Sequence, residues 1–157
     1  MIYLQIFIAA FFLNLLWEVL HSPLYTTCHE MPLGKMQRLL VSMSLKDGFW
    51  ITLFYWITVL VSGNIYIVEH VAQLTFFAAI ALVFSFVDEY ISVKKRRWIY
   101  ADTMPTVLGV GITPLLELVI TGVITFNYSA AAQTNLASVQ SAWSELGPSP
   151  ASLTINW

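Results

Sequence analysis

Charge is scarce in this sequence of 157 residues: charged side chains make up 10% of it and hydrophobic ones 58%. That balance lies far outside the soluble average and points to an integral membrane protein. Cysteine is nearly absent, with Cys28 alone, which excludes an internal disulfide. Seven Lys and Arg stand against nine Asp and Glu, for a formal net charge of -2. No basic face exists to neutralise phosphates, so nucleic acid is excluded as a partner. The stretch from Met1 to Trp17 carries no charged side chain, with neither a basic segment before it nor a small-residue cleavage site after it. It reads as a retained signal-anchor helix, not a removed signal peptide.

What the chain has instead is apolar runs. Four stretches, about residues 2–21, 39–62, 71–91 and 105–126, each approach the ~20 residues needed to span a hydrocarbon core. The expected fold class is all-α, an integral membrane four-helix bundle over residues 1–126 with a polar, non-cytoplasmic C-terminal tail over 127–157. His21, Ser22 and Pro23 end the first helix, and the segment to Arg38, with Glu30, Pro32, Gly34 and Lys35, reads as a loop. Lys46 and Asp47 interrupt the second span; Lys46 is expected to snorkel to the interface while Asp47 points inward. Met104-Pro105 reads as the restart of the chain as a helix with proline in its first turn. The tail has the composition of a flexible segment, although Trp143, Leu146, Leu153, Ile155 and Trp157 give it apolar handles for a partner.

All the Lys and Arg lie at 35, 38, 46 and 94–97, within two connections that a four-span chain places on one side. By the positive-inside rule those connections are cytoplasmic and the N- and C-termini are non-cytoplasmic. Aromatics form 15% of the chain, six of them Trp, which suits belts at both membrane interfaces.

Ionisable side chains inside apolar helices are costly unless partnered, so they mark a site. At about 100° per residue, Asn14, Glu18, His21 and Tyr25 fall on one stripe. Ser44, Asp47, Ile51, Tyr55, Thr58 and Ser62 share a face of the second helix, and Ser85, Glu89 and Ser92 a face of the third. Asp88 lies about 100° from Glu89, so Glu89 is assigned as the inward member of that pair. Thr113, Glu117 and Thr121 add a stripe on the fourth, with Glu117 the deepest carboxylate. The expected catalytic set is Glu18, His21, Asp47 and Glu89, and the expected substrate-binding set is Arg97, Trp98, Tyr100, Tyr25 and Asn14. No metal ligand set is assigned and the cofactor is left unspecified.

Three functional readings fit. In the first, the cluster does acid/base work on a lipid-like or isoprenoid substrate: His21 or Glu18 moves a proton, Asp47 or Glu89 sets its charge, and Arg97 or Lys95 holds an anionic headgroup. In the second, the protein is an accessory subunit whose polar cluster is structural and whose tail binds a larger membrane complex. In the third, His21 binds haem, a pigment or a metal; Glu18-x-x-His21 has the spacing of carboxylate-bridged metal bundles, but one copy argues against a dinuclear centre. The partners expected are the lipid bilayer and either a larger membrane complex or further copies of the chain. Each feature also has a structural explanation: Glu18 and His21 as a lock on Arg97 or Tyr100, and Lys94–Arg97 as a topology determinant on lipid headgroups.

The run Asn14-Leu15-Leu16-Trp17-Glu18-Val19-Leu20-His21 with Leu24-Tyr25, then Asp47, then Glu89, Arg97-Trp98-Ile99-Tyr100, Met104-Pro105 and Gly111-Ile112-Thr113-Pro114 resembles a family of small four-span prokaryotic membrane proteins of unassigned function. The likeness covers about residues 4–126. It implies that Glu18, His21, Asp47, Glu89, Arg97, Trp98, Tyr100 and Pro105 belong to one shared feature, and brings no activity with it. Glu117 departs from the Gln expected at that position, and the tail has no counterpart. A fainter similarity to intramembrane sterol isomerases extends to His and Glu among aromatics in a small bundle, not to the spacing.

Overall fold

The computed structural model describes residues 2–145. Its first helix, α1 (Ile2–His21), has neither glycine nor proline to interrupt it and stops ahead of Pro23 in a single turn, Ser22–Leu24. A short α2 (Thr26–Glu30) leads to α3 (Leu33–Ser62), which starts directly after Pro32. Helix α3 ends where Gly63 takes a left-handed φ of 69° and its N–H reaches Val59 O at 2.8 Å, a glycine C-terminal cap. Helix α4 (Val71–Lys94) follows, then a small antiparallel hairpin of β1 (Thr106–Val107) and β2 (Val110–Gly111), then α5 (Ile112–Glu145).

The fold is all-α apart from that hairpin, and three helical segments, Ile2–Leu24, Val71–Lys94 and Ile112–Glu145, are long and apolar enough to cross a membrane. Helix α3, which carries Lys35, Arg38, Lys46 and Asp47, is the long helix that does not reach that hydropathy. The four long helices alternate in direction. The end of α1 meets the segment after α4 through Thr26 N–H to Ile99 O (2.9 Å) and Ala101 N–H to Leu24 O (2.9 Å). At the opposite end the Tyr55 hydroxyl near the end of α3 donates to Ile65 O (2.8 Å) in the connection to α4.

Three expectations need correcting. Residues 33–38 are the first turns of α3, because Pro32 supplies a fixed φ of -58° at the helix start and nothing after it opposes helix formation. Met104-Pro105 does not begin a helix: Leu108 (φ 54°) and Gly109 (φ 80°) turn the chain back on itself as a two-residue hairpin, and α5 waits until Ile112. The stretch after 126 is helix as far as Glu145, since Ala, Gln, Leu and Ser run on without glycine or proline. Trp143 sits exposed on that extension, while Leu146, Leu153, Ile155 and Trp157 lie outside the described residues.

Large apolar side chains lie on the outside of the bundle and several polar ones within. Leu4, Ile8, Phe12 and Leu16 on α1, Leu45, Phe49, Trp56 and Leu60 on α3, and Val83 and Val87 on α4 are exposed, whereas Asn14, Asp47, Glu89, Glu117 and Thr121 are buried. The bundle has two unlike halves. Toward the start of α1, Ile6, Ala10, Ile51, Tyr55, Phe77 and Phe126 form an apolar core. Two glycines permit its close packing: a Cβ on Gly48 would lie 3.3 Å from Phe11 N on α1, and one on Gly122 would run into the Phe77 ring. Toward the end of α1, the interior becomes polar.

Candidate functional site

The polar half contains a cavity of about 60 Å³, bounded by α1, α3, α4 and α5 and by the two segments that follow α1 and α4. It has room for a few waters, well short of a whole lipid headgroup. Leu39, Leu40, Met43 and Phe84 supply apolar wall, and Glu18, Asp47, Asp88, Glu89 and Glu117 supply carboxylates.

Three of these carboxylates come together from three helices. Glu18 on α1, Asp47 on α3 and Glu117 on α5 each place an oxygen within 4.8 Å of the others. Asp47 and Glu117 are buried and Glu18 is half-buried. One turn deeper, Asn14 Nδ2 donates to Ala10 O (2.7 Å), and the Thr121 hydroxyl lies 3.1 Å from Asn14 Oδ1 and 2.7 Å from Glu117 O. This contact ties α1 to α5 one helical turn from Glu18 and Glu117 and so sets the register in which the two carboxylates meet.

Glu89 is held differently. Its Oε1 accepts from Trp98 Nε1 (2.9 Å) and from the Tyr100 hydroxyl (2.5 Å), and that hydroxyl accepts from Gly111 N–H (2.9 Å). Trp98 and Tyr100 are held in turn by the pairing of residues 24–27 with 99–101, including Ile99 N–H to the Thr27 hydroxyl (2.8 Å) and the Tyr25–Tyr100 bridge. Burial, then the Glu89 and Glu18 carboxylates, push the Tyr25 phenol well above its ordinary value; burial and the bond to Glu89 do the same for Tyr100. Both stay neutral across the physiological range, and Tyr100 remains a donor to Glu89. Burial also raises the Cys28 thiol, which removes the thiolate character a nucleophile needs.

Lys46 Nζ lies 2.7 Å from Asp88 Oδ2 and 3.9 Å from Asp47 Oδ1. It bridges α3 to α4 instead of extending to the interface.

The nine residues singled out from sequence therefore separate. Glu18, Asp47, Glu89, Tyr25 and Trp98 line the cavity, Tyr100 holds Glu89, and Asn14 braces the wall from below. His21 does not line it: its ring stacks on Trp17 with centroids 4.4 Å apart, and Nδ1 sits 3.0 Å from Trp17 O. Arg97 is exposed, with Nη1 3.4 Å from the Ser92 hydroxyl. Sequence reasoning placed Glu117 on a stripe of its own without joining it to Glu18 and Asp47, and did not pair Lys46 with Asp88. The helical phase of α5 contained the first of these; the second needed the longitudinal register between α3 and α4.

Taken together, fold and site define an all-α protein with three helices able to cross a membrane and a carboxylate-rich chamber at one end. Compared with models of protein families, with curated proteins and with solved structures, the chain matches none.

Proposed function

We propose that the protein is a four-span membrane protein that presents one polar group of a lipid-like or isoprenoid amphiphile to the chamber, the rest of the molecule staying outside it, and moves protons there. The convergence of Glu18, Asp47 and Glu117 within 4.8 Å carries this reading, since helices that only needed to stick together would not gather costly carboxylates. Acid/base chemistry needs carboxyl groups screened from water; Asp47 and Glu117 are buried, and Glu18 stands half-buried beside them. Glu89, fixed by Trp98 and Tyr100, is a positioning residue that holds the segment after α4 against the chamber. The apolar wall of Leu39, Leu40, Met43 and Phe84 suits the chain end of an amphiphile, and the basic run Lys94–Arg97 flanks the same end of the bundle.

Helix α3 is the fourth span in this reading. Its outward residues Val41, Leu45, Phe49, Trp56 and Leu60 are apolar, Lys46 is engaged by Asp88, Asp47 is buried, and Lys35 and Arg38 lie in its first turns. Both termini then fall on the non-cytoplasmic side. The motif order from Asn14 to Pro114, with its resemblance to small four-span prokaryotic membrane proteins, agrees with that count. Native mass spectrometry of protein extracted in mild detergent tests the reading. A bound amphiphile, released when Met43→Trp fills the chamber wall, is the expected result; wild-type protein that retains none overturns it.

A second reading, an accessory subunit, draws on α5. At about 1.5 Å per residue, the 34 residues of α5 exceed a hydrocarbon core of about 30 Å, and Leu136, Val139 and Trp143 are exposed on its far part. Those side chains offer a handle to a larger complex. The haem or pigment reading rests on His21 alone, which stands outside the chamber.

A further inference from the structure

We propose that Glu18, Asp47 and Glu117 form a binding site for a hard divalent cation of the size of Mn²⁺ or Ca²⁺. The site shares the chamber with the reading above, yet does not depend on an amphiphile being present.

The charge balance of the chamber is the first ground. Among the described residues that line it, five carboxylates face a single cationic side chain, Lys46, and Asp88 engages that lysine at 2.7 Å. Glu89 has its own donors in Trp98 and Tyr100. Glu18, Asp47 and Glu117 are left facing one another with no hydrogen-bond donor to any of their carboxylate oxygens among the described residues, and Lys46 is no nearer to Asp47 than 3.9 Å. Like charges so close in the interior are relieved by protonation or by a counter-charge, and a cation supplies the second.

Unsatisfied polar atoms supply the second, independent ground. The Ser85 hydroxyl lines the same cavity from a different helix, α4, at 5% exposure, and has no hydrogen-bond partner; Glu117 Oε1, at 7% residue exposure, has none either. Buried polar atoms in this state are rare in native proteins and point to a ligand or water they bind. A cation carrying its own waters would satisfy both: the carboxylate oxygens by direct ligation and the hydroxyl as donor or ligand.

Geometry and ligand type select the ion. Metal–oxygen distances of about 2.3–2.6 Å for Ca²⁺ allow one ion to bridge oxygens separated by up to roughly twice that, and the three oxygens lie within 4.8 Å of one another. The donors are all oxygen, which favours Mg²⁺, Ca²⁺ and Mn²⁺ over the softer metals held by His and Cys. The cavity of about 60 Å³ accommodates the ion with waters completing its shell.

The test uses the full chain in mild detergent, stripped with a chelator and titrated with Mn²⁺ while free Mn²⁺ is followed by electron paramagnetic resonance. Expected is one saturable site per chain, displaced by excess Ca²⁺, with affinity reduced at least about tenfold by Glu117→Gln or Glu18→Gln, a loss of roughly 1.4 kcal/mol or more. Glu30→Gln, at an exposed position, serves as the control and leaves affinity unchanged. Should Glu117→Gln not fold, Glu18→Gln and Ser85→Ala decide the matter, since Glu18 is only half-buried and Ser85→Ala removes no charge. Absence of saturable binding, or binding indifferent to Glu18→Gln, overturns the site and leaves the carboxyl groups sharing protons. Bound amphiphile measured in the same samples separates the two proposals: lipid without Mn²⁺ binding sinks this one alone, and Mn²⁺ binding without lipid sinks the other alone.

Discussion

The hydroxyl of Tyr100 lies 2.5 Å from Glu89 Oε1, joining the segment after α4 to a buried carboxylate on α4 itself. Because the same hydroxyl accepts from Gly111 N–H at 2.9 Å, one atom fastens the connection at both of its ends. Tyr100→Phe removes a donor from Glu89 and an acceptor from Gly111. The expected cost is about 1.5–3 kcal/mol, the range for a hydrogen bond to a charged group. Thermal unfolding in detergent measures it. Trp98→Phe costs a similar amount, and the double variant costs less than the sum because both bonds end on one oxygen.

Alkaline titration probes the same corner. The folded-state values of Tyr25 and Tyr100 both lie above the ordinary value of about 10. The stability these phenols contribute is therefore complete below that pH and is lost as pH climbs beyond it, because the unfolded chain releases their protons first. Replacing both with Phe should leave the tyrosinate absorption of the folded protein near pH about 10 unchanged, and should narrow the gap between neutral and alkaline stability. A fall in that absorption would show that the phenols ionise in place, against this account.

Packing in the apolar half rests on Gly122. A Cβ there would press into the Phe77 ring, whose Cε1 would lie 2.9 Å away, and Phe77 is fully buried with no room to turn aside. Gly122→Ala is expected to cost about 1–3 kcal/mol as over-packing. Phe77→Leu introduced alongside should recover part of the loss, in a comparison of denaturation midpoints.

Much of this fold was legible in sequence for one physical reason. Polar side chains in apolar helices have to face protein, so the phase of Ser44, Asp47, Ile51 and Thr58, and of Ser85, Glu89 and Ser92, identifies which faces are buried. What resisted was anything set by register between elements or by weak local preference. Lys46 could reach water or Asp88, and the sliding of α3 against α4 decides which. Pro105 suits a helix start, but the positive φ at Leu108 and Gly109 diverts the chain into a hairpin first. Residues 127–145 read as a tail because they are polar, although their alanines and lack of glycine and proline favour helix. Helical phase puts His21 on the stripe of Glu18, and Arg97 is expected at the same end of the bundle; stacking on Trp17 holds His21 aside, and solvent-side placement does the same for Arg97.

The status of α3 as a fourth span is open to direct labelling. In a Cys28→Ser background, which removes the sole native cysteine, Lys35→Cys and Asn64→Cys place thiols beyond either end of the apolar part of α3. If α3 crosses, an impermeant thiol reagent added outside intact cells labels Asn64→Cys and spares Lys35→Cys. Equal labelling of the two would leave α3 lying along the membrane and would reverse the direction assigned to α4.

The pair Lys46–Asp88 should behave asymmetrically under substitution. Their side chains are about a third exposed, 33% and 31%, so the pair sits between a solvent-exposed bridge and a buried one. Losing a partner should accordingly cost about 1–3 kcal/mol, above the surface range and below the buried one. Asp88→Leu removes one acceptor but leaves Lys46 with Asp47 at 3.9 Å, toward which it can move. Lys46→Met, by contrast, takes away the one cation that lines the chamber among the described residues and leaves Asp47 and Asp88 to repel each other across the seam between α3 and α4. Lys46→Met should thus be the more damaging single change, and adding Asp88→Leu to it should restore stability by removing the stranded charge. Equal costs for the two single changes, or a double variant worse than Lys46→Met, would mean that the lysine neutralises nothing in the chamber beyond Asp88.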